Sequence, residues 1–211
     1  MKTKTKTTTF NRKEGMKKSI FTLLLCLTTW ILATAQTADG QERAEVMIET
    51  TEGNIRIALY NETPRHRDNF LKLVSDHFYD SLLFHRVIPN FMIQAGDPDS
   101  RHAEPGALLG EGDLGYKIEP EIRTPEIRHR YGSVAAAREG DDVNPDRLSS
   151  ASQFYIVTRK SGTPHLDGGY TVFGEVVEGM EVANRIQRKM RDDYDRPVYD
   201  VRIIRATVVD K

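Results

Sequence analysis

The chain has 211 residues, with 30 Lys or Arg, 31 Asp or Glu and a formal net charge of −1. Residues 1–35 hold seven of the basic side chains and one glutamate, so the remainder carries a formal charge of −7 and lacks a basic surface for nucleic acid. The only cysteine, Cys26, also lies in those residues, so the rest of the chain forms no disulfide.

The N-terminal region has the pattern of a targeting segment. Two lysines precede an apolar run from Ile20 to Leu32, and small residues follow up to Ala35. We predict a cleavable signal peptide within residues 1–35, with an extension ahead of Met16. The run is shorter than the about 20 apolar residues that span a membrane, so we expect an exported protein, periplasmic or secreted, without a stable membrane span after cleavage.

The first elements of the remaining chain are a hairpin and a helix. In "AEVMIETTEGNIRIALY" (44–60) apolar residues alternate on both sides of a turn at Glu52–Gly53, which predicts two paired strands. Thr63 and Pro64 then have the pattern of an N-cap and a first-turn proline. The apolar stripe of the predicted helix consists of Phe70, Leu73, Val74 and Phe78.

Short apolar segments dominate the rest of the chain. "LLFHRVI", "FMIQAG", "GSVAAA", "SQFYIV" and "YTVFGEVV" predict strands, a second helix begins at Gly179, and "YDVRIIRATVVD" predicts a last strand. The stripe of that helix consists of Val182, Ile186 and Met190. Strands in close succession indicate a largely antiparallel sheet, and two helices are too few to cover both faces of an open one. We therefore predict a single mainly β domain over residues 44–211, a closed barrel with a helix at each end.

Other sequence motifs give no sign of a cofactor or a metal. "GEGDLG" (110–115) matches a dinucleotide-binding fingerprint, but Pro120 and Pro125 exclude the helix that must follow it. "REGDDVNPD" (138–146) lacks the glycine and the final glutamate of a calcium loop, so we interpret it as a solvated turn. The histidines show no metal-ligand spacing, and no G-x-S-x-G motif offers a serine nucleophile.

One arginine stands out in "FHRVIPNFMIQAGD" (84–97), because Arg86 interrupts an otherwise apolar strand. Together with "GSVAAAR", "SQFYIV" and "HLDGGYTVFGEV", this segment resembles the cyclophilin family of peptidyl-prolyl cis-trans isomerases, from about Val46 to about Val209. Arg138 and Tyr170 look like the residues of bacterial members, and the N-terminal segment adds the expectation of an exported one. The resemblance implies an eight-stranded antiparallel barrel capped by two α-helices, with the active groove on its outer wall.

The resemblance also implies a role for each matching residue. Arg86 takes the place of the catalytic arginine, and Tyr170 stands where a histidine often lies. The walls of the proline pocket match Phe91, Met92, Tyr155 and Leu166. The residues that orient the peptide match Gln94 and Gln153, while Ala137 and Arg138 fall where the backbone of the residue before proline binds. His165 replaces a tryptophan that helps to bind cyclosporin, so we predict weak sensitivity to this inhibitor.

The chemistry expected of such a site is rotation of an Xaa-Pro bond in peptides and in unfolded or folding polypeptides. A guanidinium beside an apolar wall keeps its charge and can donate to the imide nitrogen that loses conjugation in the twisted state, so no nucleophile, cofactor or metal is required. A binding module without catalysis and a scaffold barrel are the alternatives, and Arg86 argues against both. We expect a monomer, and we expect part of the long loop Pro98–Arg130 to border the groove and select substrates.

Overall fold

The computed structural model describes residues 42–209. The predicted signal peptide therefore lies outside the described residues. The described residues from Arg43 onward belong to one compact unit. Within this range, no helix is long and apolar enough to cross a membrane.

The described residues form a mainly β structure with two α-helices. The strands are β1 Glu45–Thr50, β2 Gly53–Leu59, β3 Arg86–Ile88, β4 Met92–Ala95, β5 Lys117–Ile118, β6 Ser133–Ala136, β7 Ser149–Ser150, β8 Phe154–Val157, β9 Val172–Glu178 and β10 Ile203–Val208. The α-helices are α1 Pro64–Ser75 and α2 Met180–Ile186, and two 3₁₀ helices span Pro98–His102 and Pro164–Leu166.

Eight strands build one antiparallel sheet in the order β10-β1-β2-β9-β6-β8-β4-β3, which confirms the predicted strand direction. The prediction of a closed barrel was wrong: the sheet is an open, strongly curled half-barrel. Its edge strands β3 and β10 share no ladder, and a single bridge joins Leu83 to Arg202. The physical reason is that β3 has only three residues and that irregular chain lies beside it, where Val87 N–H donates to the Asp195 carbonyl at 2.8 Å.

The predicted hairpin and its buried face are confirmed. Strands β1 and β2 pair from Glu45 opposite Ala58 to Thr50 opposite Gly53. Alternate residues point to the core on both strands, as a period of two requires. The fully buried members are Val46, Ile48, Ile55, Ile57 and Leu59.

The two helices fall where the sequence predicts them, but both end early. Helix α1 buries Phe70, Leu73 and Val74, whereas Phe78 lies beyond its end and packs partly buried against the core. Helix α2 buries Val182 and Ile186 and ends before Met190, which is 70% exposed. The predicted stripe of α2 was therefore one turn too long.

Much of the segment from residue 98 to residue 130 is irregular, yet it is tied to the sheet and to α1. Strand β5 pairs with β7 as a separate two-stranded sheet. The Glu121 carboxylate accepts the backbone N–H groups of Arg65 and His66 at 3.1 and 3.0 Å, at the start of α1. Thr63 precedes the helix but makes no side-chain cap, so Glu121 satisfies the exposed N–H groups there and complements the helix dipole.

Candidate active site

Arg86 lies at the start of edge strand β3, opposite Gln94 of β4. Its side chain is 45% exposed, and its Nε lies 3.8 Å from the Asp195 carboxylate. Within residues 42–209 the guanidinium meets no acceptor at hydrogen-bond distance, so its donors are available to a ligand. Strand β3 is the edge strand of the sheet, and charged side chains are common on edge strands.

An apolar pocket adjoins Arg86 on the outer face of the sheet. Its walls belong to a second hydrophobic cluster, separate from the main core, in which Met92 and Tyr155 are buried and Phe91 and Leu166 pack around them. His165 stacks on Phe91, with ring centroids 5.7 Å apart. The cavity has a volume of about 350 Å³. Nine of the ten predicted site residues line it, namely Arg86, Phe91, Met92, Gln94, Ala137, Arg138, Tyr155, Leu166 and Tyr170.

Gln153 is the predicted residue that does not line this cavity. It is 6% exposed and lies behind Gln94, whose Nε2 donates to the Gln153 Oε1 at 2.9 Å. The Gln153 Nε2 donates to the carbonyls of Gly110 and Gly112 at 2.9 and 3.0 Å. Gln153 thus fixes Gln94 and the glycine-rich loop, and it lines an adjoining cavity of about 150 Å³.

A buried chain of hydrogen bonds braces the pocket floor from behind. The His129 Nδ1 lies 2.8 Å from the Asp167 carboxylate, and the His129 Nε2 lies 3.0 Å from the Tyr155 hydroxyl. Burial lowers the pKa of His129, which favours the neutral ring that donates to Asp167 and accepts from Tyr155. Burial would raise the pKa of Asp167, but the hydrogen bonds from His129 outweigh it and lower that pKa. The arrangement fixes the orientation of the Tyr155 ring.

The side chain of Arg138 is held by the protein itself. Its Nε donates to the Gly169 carbonyl at 2.7 Å, its guanidinium pairs with Asp141 at 2.6 Å, and it lies 4.5 Å from the centroid of the Tyr170 ring. The backbone N–H and carbonyl of Arg138, in contrast, have no hydrogen-bond partner within residues 42–209. Arg138 therefore offers its backbone, rather than its charge, to a ligand.

The acidic turn that follows Arg138 uses its charge internally. Asp141 pairs with Arg138 and Arg147, and the hydrogen bond from Arg138 lowers its pKa. Among residues 42–209, no group of three or more His, Cys, Asp or Glu side chains is arranged to hold a metal ion.

Sequence reasoning missed several residues of the cavity wall. His85 lines it beside Arg86, and burial lowers the pKa of His85 to about 4, although Asp97 opposes the shift. Tyr194 lines it as well, and so do Leu108, Leu109, Gly110 and Glu111, which belong to the loop that we expected to border the groove but were not singled out in the sequence. Two adjacent leucines inside a charged, glycine-rich loop were the sequence signal that could have indicated part of this wall.

The comparisons with known proteins agree on one family. A family model described as cyclophilin type peptidyl-prolyl cis-trans isomerase/CLD matches residues 45–208. An Aspergillus fumigatus protein named peptidyl-prolyl cis-trans isomerase-like 1 is 38% identical over 169 residues, 79% of this chain and 96% of that protein. An Arabidopsis thaliana peptidyl-prolyl cis-trans isomerase is 37% identical over 168 residues, 79% of this chain and 94% of that protein.

Two solved structures have the same fold. The crystal structure of a Cryptosporidium parvum cyclophilin type peptidyl-prolyl cis-trans isomerase superposes with a TM-score of 0.69 at 28% identity, covering 80% of this chain and 99% of that chain. A structure of the same protein in the presence of the dipeptide Ala-Pro gives a TM-score of 0.64 at 27% identity and covers 79% of this chain and 99% of that chain.

Proposed function

This chain belongs to the cyclophilin-type peptidyl-prolyl cis-trans isomerases, enzymes that rotate Xaa-Pro peptide bonds. From this premise we propose how the cavity catalyses the rotation and in which compartment the enzyme works. The observation that carries the proposal is the single cavity that holds Arg86 and the apolar walls together. We also propose that the enzyme is a monomer.

Arg86 is the catalytic residue of the proposal. Amide resonance opposes rotation with a barrier of roughly 18–20 kcal/mol. When the bond twists, the imide nitrogen regains a lone pair, so a donor directed at this nitrogen binds the twisted state more strongly than either planar state. The available guanidinium of Arg86 supplies that donor, while Phe91, Met92 and Tyr155 hold the pyrrolidine ring.

The peptide lies across the ends of adjacent strands in the order β6, β8, β4 and β3. The unpaired backbone N–H and carbonyl of Arg138 form hydrogen bonds with the backbone of the residue before proline. The proline ring enters the pocket between β8 and β4. The Cryptosporidium parvum structure obtained in the presence of Ala-Pro supports a proline peptide as the ligand.

The test is NMR exchange spectroscopy on a short Ala-Pro peptide with the parent protein, Arg86→Ala and Arg205→Ala. Arg205 is the matched control, because it also lies on an edge strand and pairs with one carboxylate, Glu49. We expect Arg86→Ala to slow catalysed exchange by about 100-fold or more, while Arg205→Ala keeps the parent rate. Chemical-shift titration verifies that both variants still bind the peptide.

Two results would overturn the proposed mechanism. Equal exchange by the parent and Arg86→Ala would remove Arg86 from catalysis. Binding without faster exchange by any of the three proteins would make the cavity a binding site only.

We further propose that the enzyme is exported and assists the folding of exported proteins in a periplasmic or extracellular space. The support is the sequence of residues 1–35. Assignment to the bacterial members rests on Arg138 and Tyr170, whereas the two relatives described above come from a fungus and a plant.

Expression of the full chain in a Gram-negative host, with fractionation and mass spectrometry, should give periplasmic protein cleaved near Ala35. Uncleaved cytosolic protein would contradict export.

A further inference from the structure

The charge partner of Arg86 lies outside the cavity. The Asp195 carboxylate, 3.8 Å from the Arg86 Nε, belongs to the turn 192–196, and Asp195 does not line the cavity. Arg86 is 45% exposed on an edge strand, and a long side chain of that exposure samples several rotamers unless another group restrains it. Among residues 42–209, Asp195 is the only carboxylate within 4 Å of the Arg86 guanidinium, so an electrostatic restraint on this side chain comes from Asp195.

The turn that carries Asp195 is tied to β3 and closed by its own hydrogen bonds. Val87 N–H donates to the Asp195 carbonyl at 2.8 Å. The Asp192 carboxylate accepts the backbone N–H groups of Tyr194 and Arg196, both at 2.9 Å. Asp195 itself has φ of +64°, a conformation that Asp and Asn adopt more readily than most residues. Asp195 is therefore held at a fixed place relative to β3.

A second arginine fixes the direction of the carboxylate. The Arg191 Nε donates to the Asp195 Oδ1 at 2.8 Å, while the Asp195 Oδ2 faces Arg86. Two arginines and one aspartate leave one positive charge, so Asp195 does not neutralise Arg86. The 3.8 Å separation is too long for a hydrogen bond, so the donors of Arg86 stay available to a ligand.

We propose that Asp195 is a positioning residue of the isomerase, whose carboxylate keeps the Arg86 guanidinium directed at the imide nitrogen of the substrate. The inference rests on the proposed function, because it takes the catalytic task of Arg86 from it. Asp195 lies outside the cavity, so its removal leaves the binding of the planar peptide unchanged. The loss falls on the twisted state, which Arg86 stabilises.

The test uses Asp195→Asn, with Asp193→Asn as the matched control. Asparagine keeps the shape of the side chain and tolerates the positive φ of residue 195, and it removes only the charge. Asp193 is exposed in the same turn and pairs with no cation within residues 42–209. Its replacement therefore removes an equal charge without breaking an ion pair.

Two NMR measurements give the readouts. Relaxation of ¹⁵N at the Arg86 Nε–Hε group in the free protein gives its order parameter, and exchange spectroscopy on a short Ala-Pro peptide gives kcat and KM. We expect Asp195→Asn to lower the order parameter and to reduce kcat by about threefold, as suits an exposed ion pair, while KM stays within about 1.5-fold. Asp193→Asn should keep the parent values of all three.

Salt gives a second measurement, because it screens ion pairs that are exposed to solvent. About 0.5 M NaCl should lower kcat of the parent toward that of Asp195→Asn and change kcat of this variant much less. A partly unfolded sample of the variant would also show a lower kcat. It would leave the Arg86 order parameter unchanged, because that value comes from the signals of folded protein.

The outcomes separate the inference from the proposed function. An Arg86 order parameter that Asp195→Asn leaves unchanged, or an equal fall of kcat in Asp193→Asn, would overturn the inference alone. A rise of KM at constant kcat would make Asp195 a binding residue and would also overturn it. Equal exchange by the parent and Arg86→Ala would overturn the proposed mechanism and the inference together.

Discussion

The two sides of the groove are built differently. On the side that we propose holds the proline ring, called the proline side, Met92 and Tyr155 lie on neighbouring strands and are buried, with His129 and Asp167 behind them. On the other side, called the loop side, Leu108 and Tyr194 lie on two loops and expose their side chains. The strand side suits a chemistry that tolerates no displacement, whereas the loop side can vary in sequence without disturbing the sheet.

The two sides of the groove differ in how firmly their side chains are held. Gripping one ring requires side chains that are fixed by a ladder and a packed cluster. The loop side has only backbone ties, among them the hydrogen bonds that Arg196 donates to the carbonyls of Glu104 and Ala107 at 3.0 and 2.8 Å.

A glycine on each side measures how tightly that side is packed. Gly96 follows β4 with φ of +96°, and a Cβ there would lie 2.1 Å from the Ser152 carbonyl oxygen. Gly106 lies in the loop with φ of +78°, and a Cβ there would have no atom within 4 Å. We expect Gly96→Ala to lower the free energy of unfolding by more than about 4 kcal/mol, and Gly106→Ala by about 1–2 kcal/mol. Urea denaturation measures both. Equal losses would contradict the difference in packing.

The buried histidine beside Arg86 should make stability depend on pH. Its pKa of about 4 in the folded chain lies below the usual 6.5, so the unfolded chain binds the proton first as the pH falls. The contribution of His85 is complete above pH 6.5 and is lost progressively down to about pH 4, in total about 3 kcal/mol. The difference between parent and His85→Leu, measured by urea denaturation from pH 7.5 to 4.5, should show this slope. Carboxylates other than Asp97 titrate alike in both proteins, so parallel curves would contradict the prediction.

Removal of one hydroxyl tests the brace behind the proline side. Tyr155→Phe keeps the ring and leaves His129 Nε2 buried without a partner, so we expect the free energy of unfolding to fall by about 1–3 kcal/mol. Tyr170→Phe is the matched control, because the Tyr170 hydroxyl meets no partner within residues 42–209, and its effect should stay within about 0.5 kcal/mol. Chemical denaturation of both variants gives the values. Equal effects would remove the structural role of His129.

The part of the fold that local sequence determines was predictable. The alternation in β1 and β2 predicts a buried face, and the four-residue spacing from Phe70 to Val74 predicts the stripe of α1. Arg86 and Gln94 lie opposite each other because a short hairpin joins their strands. The segment 84–97 alone therefore determines the relative position of these two site residues. Patterns of this range are visible in a single sequence.

The remaining features depend on contacts between distant residues. His129 reaches Asp167 across 38 positions, and Arg196 reaches Ala107 across 89. Sequence periodicity does not predict such hydrogen-bonded pairs, because each partner is an ordinary polar residue of a loop. The open edge of the sheet is of the same kind, since it depends on where the chain after Asp195 runs beside β3.

The smallest expected effect concerns the rim of the proline side, where His165 stacks on Phe91. We expect His165→Trp to tighten cyclosporin binding by about tenfold, because indole adds apolar area and an N–H donor at a surface that Phe91 already supports. Isothermal titration of parent, His165→Trp and His102→Trp measures it, and the exposed His102, which does not line the cavity, controls for a new tryptophan elsewhere. Unchanged affinity in His165→Trp would mean that the inhibitor does not reach this rim. A gain would show that the proline side accepts a new contact without rearrangement, as a wall fixed by strands should.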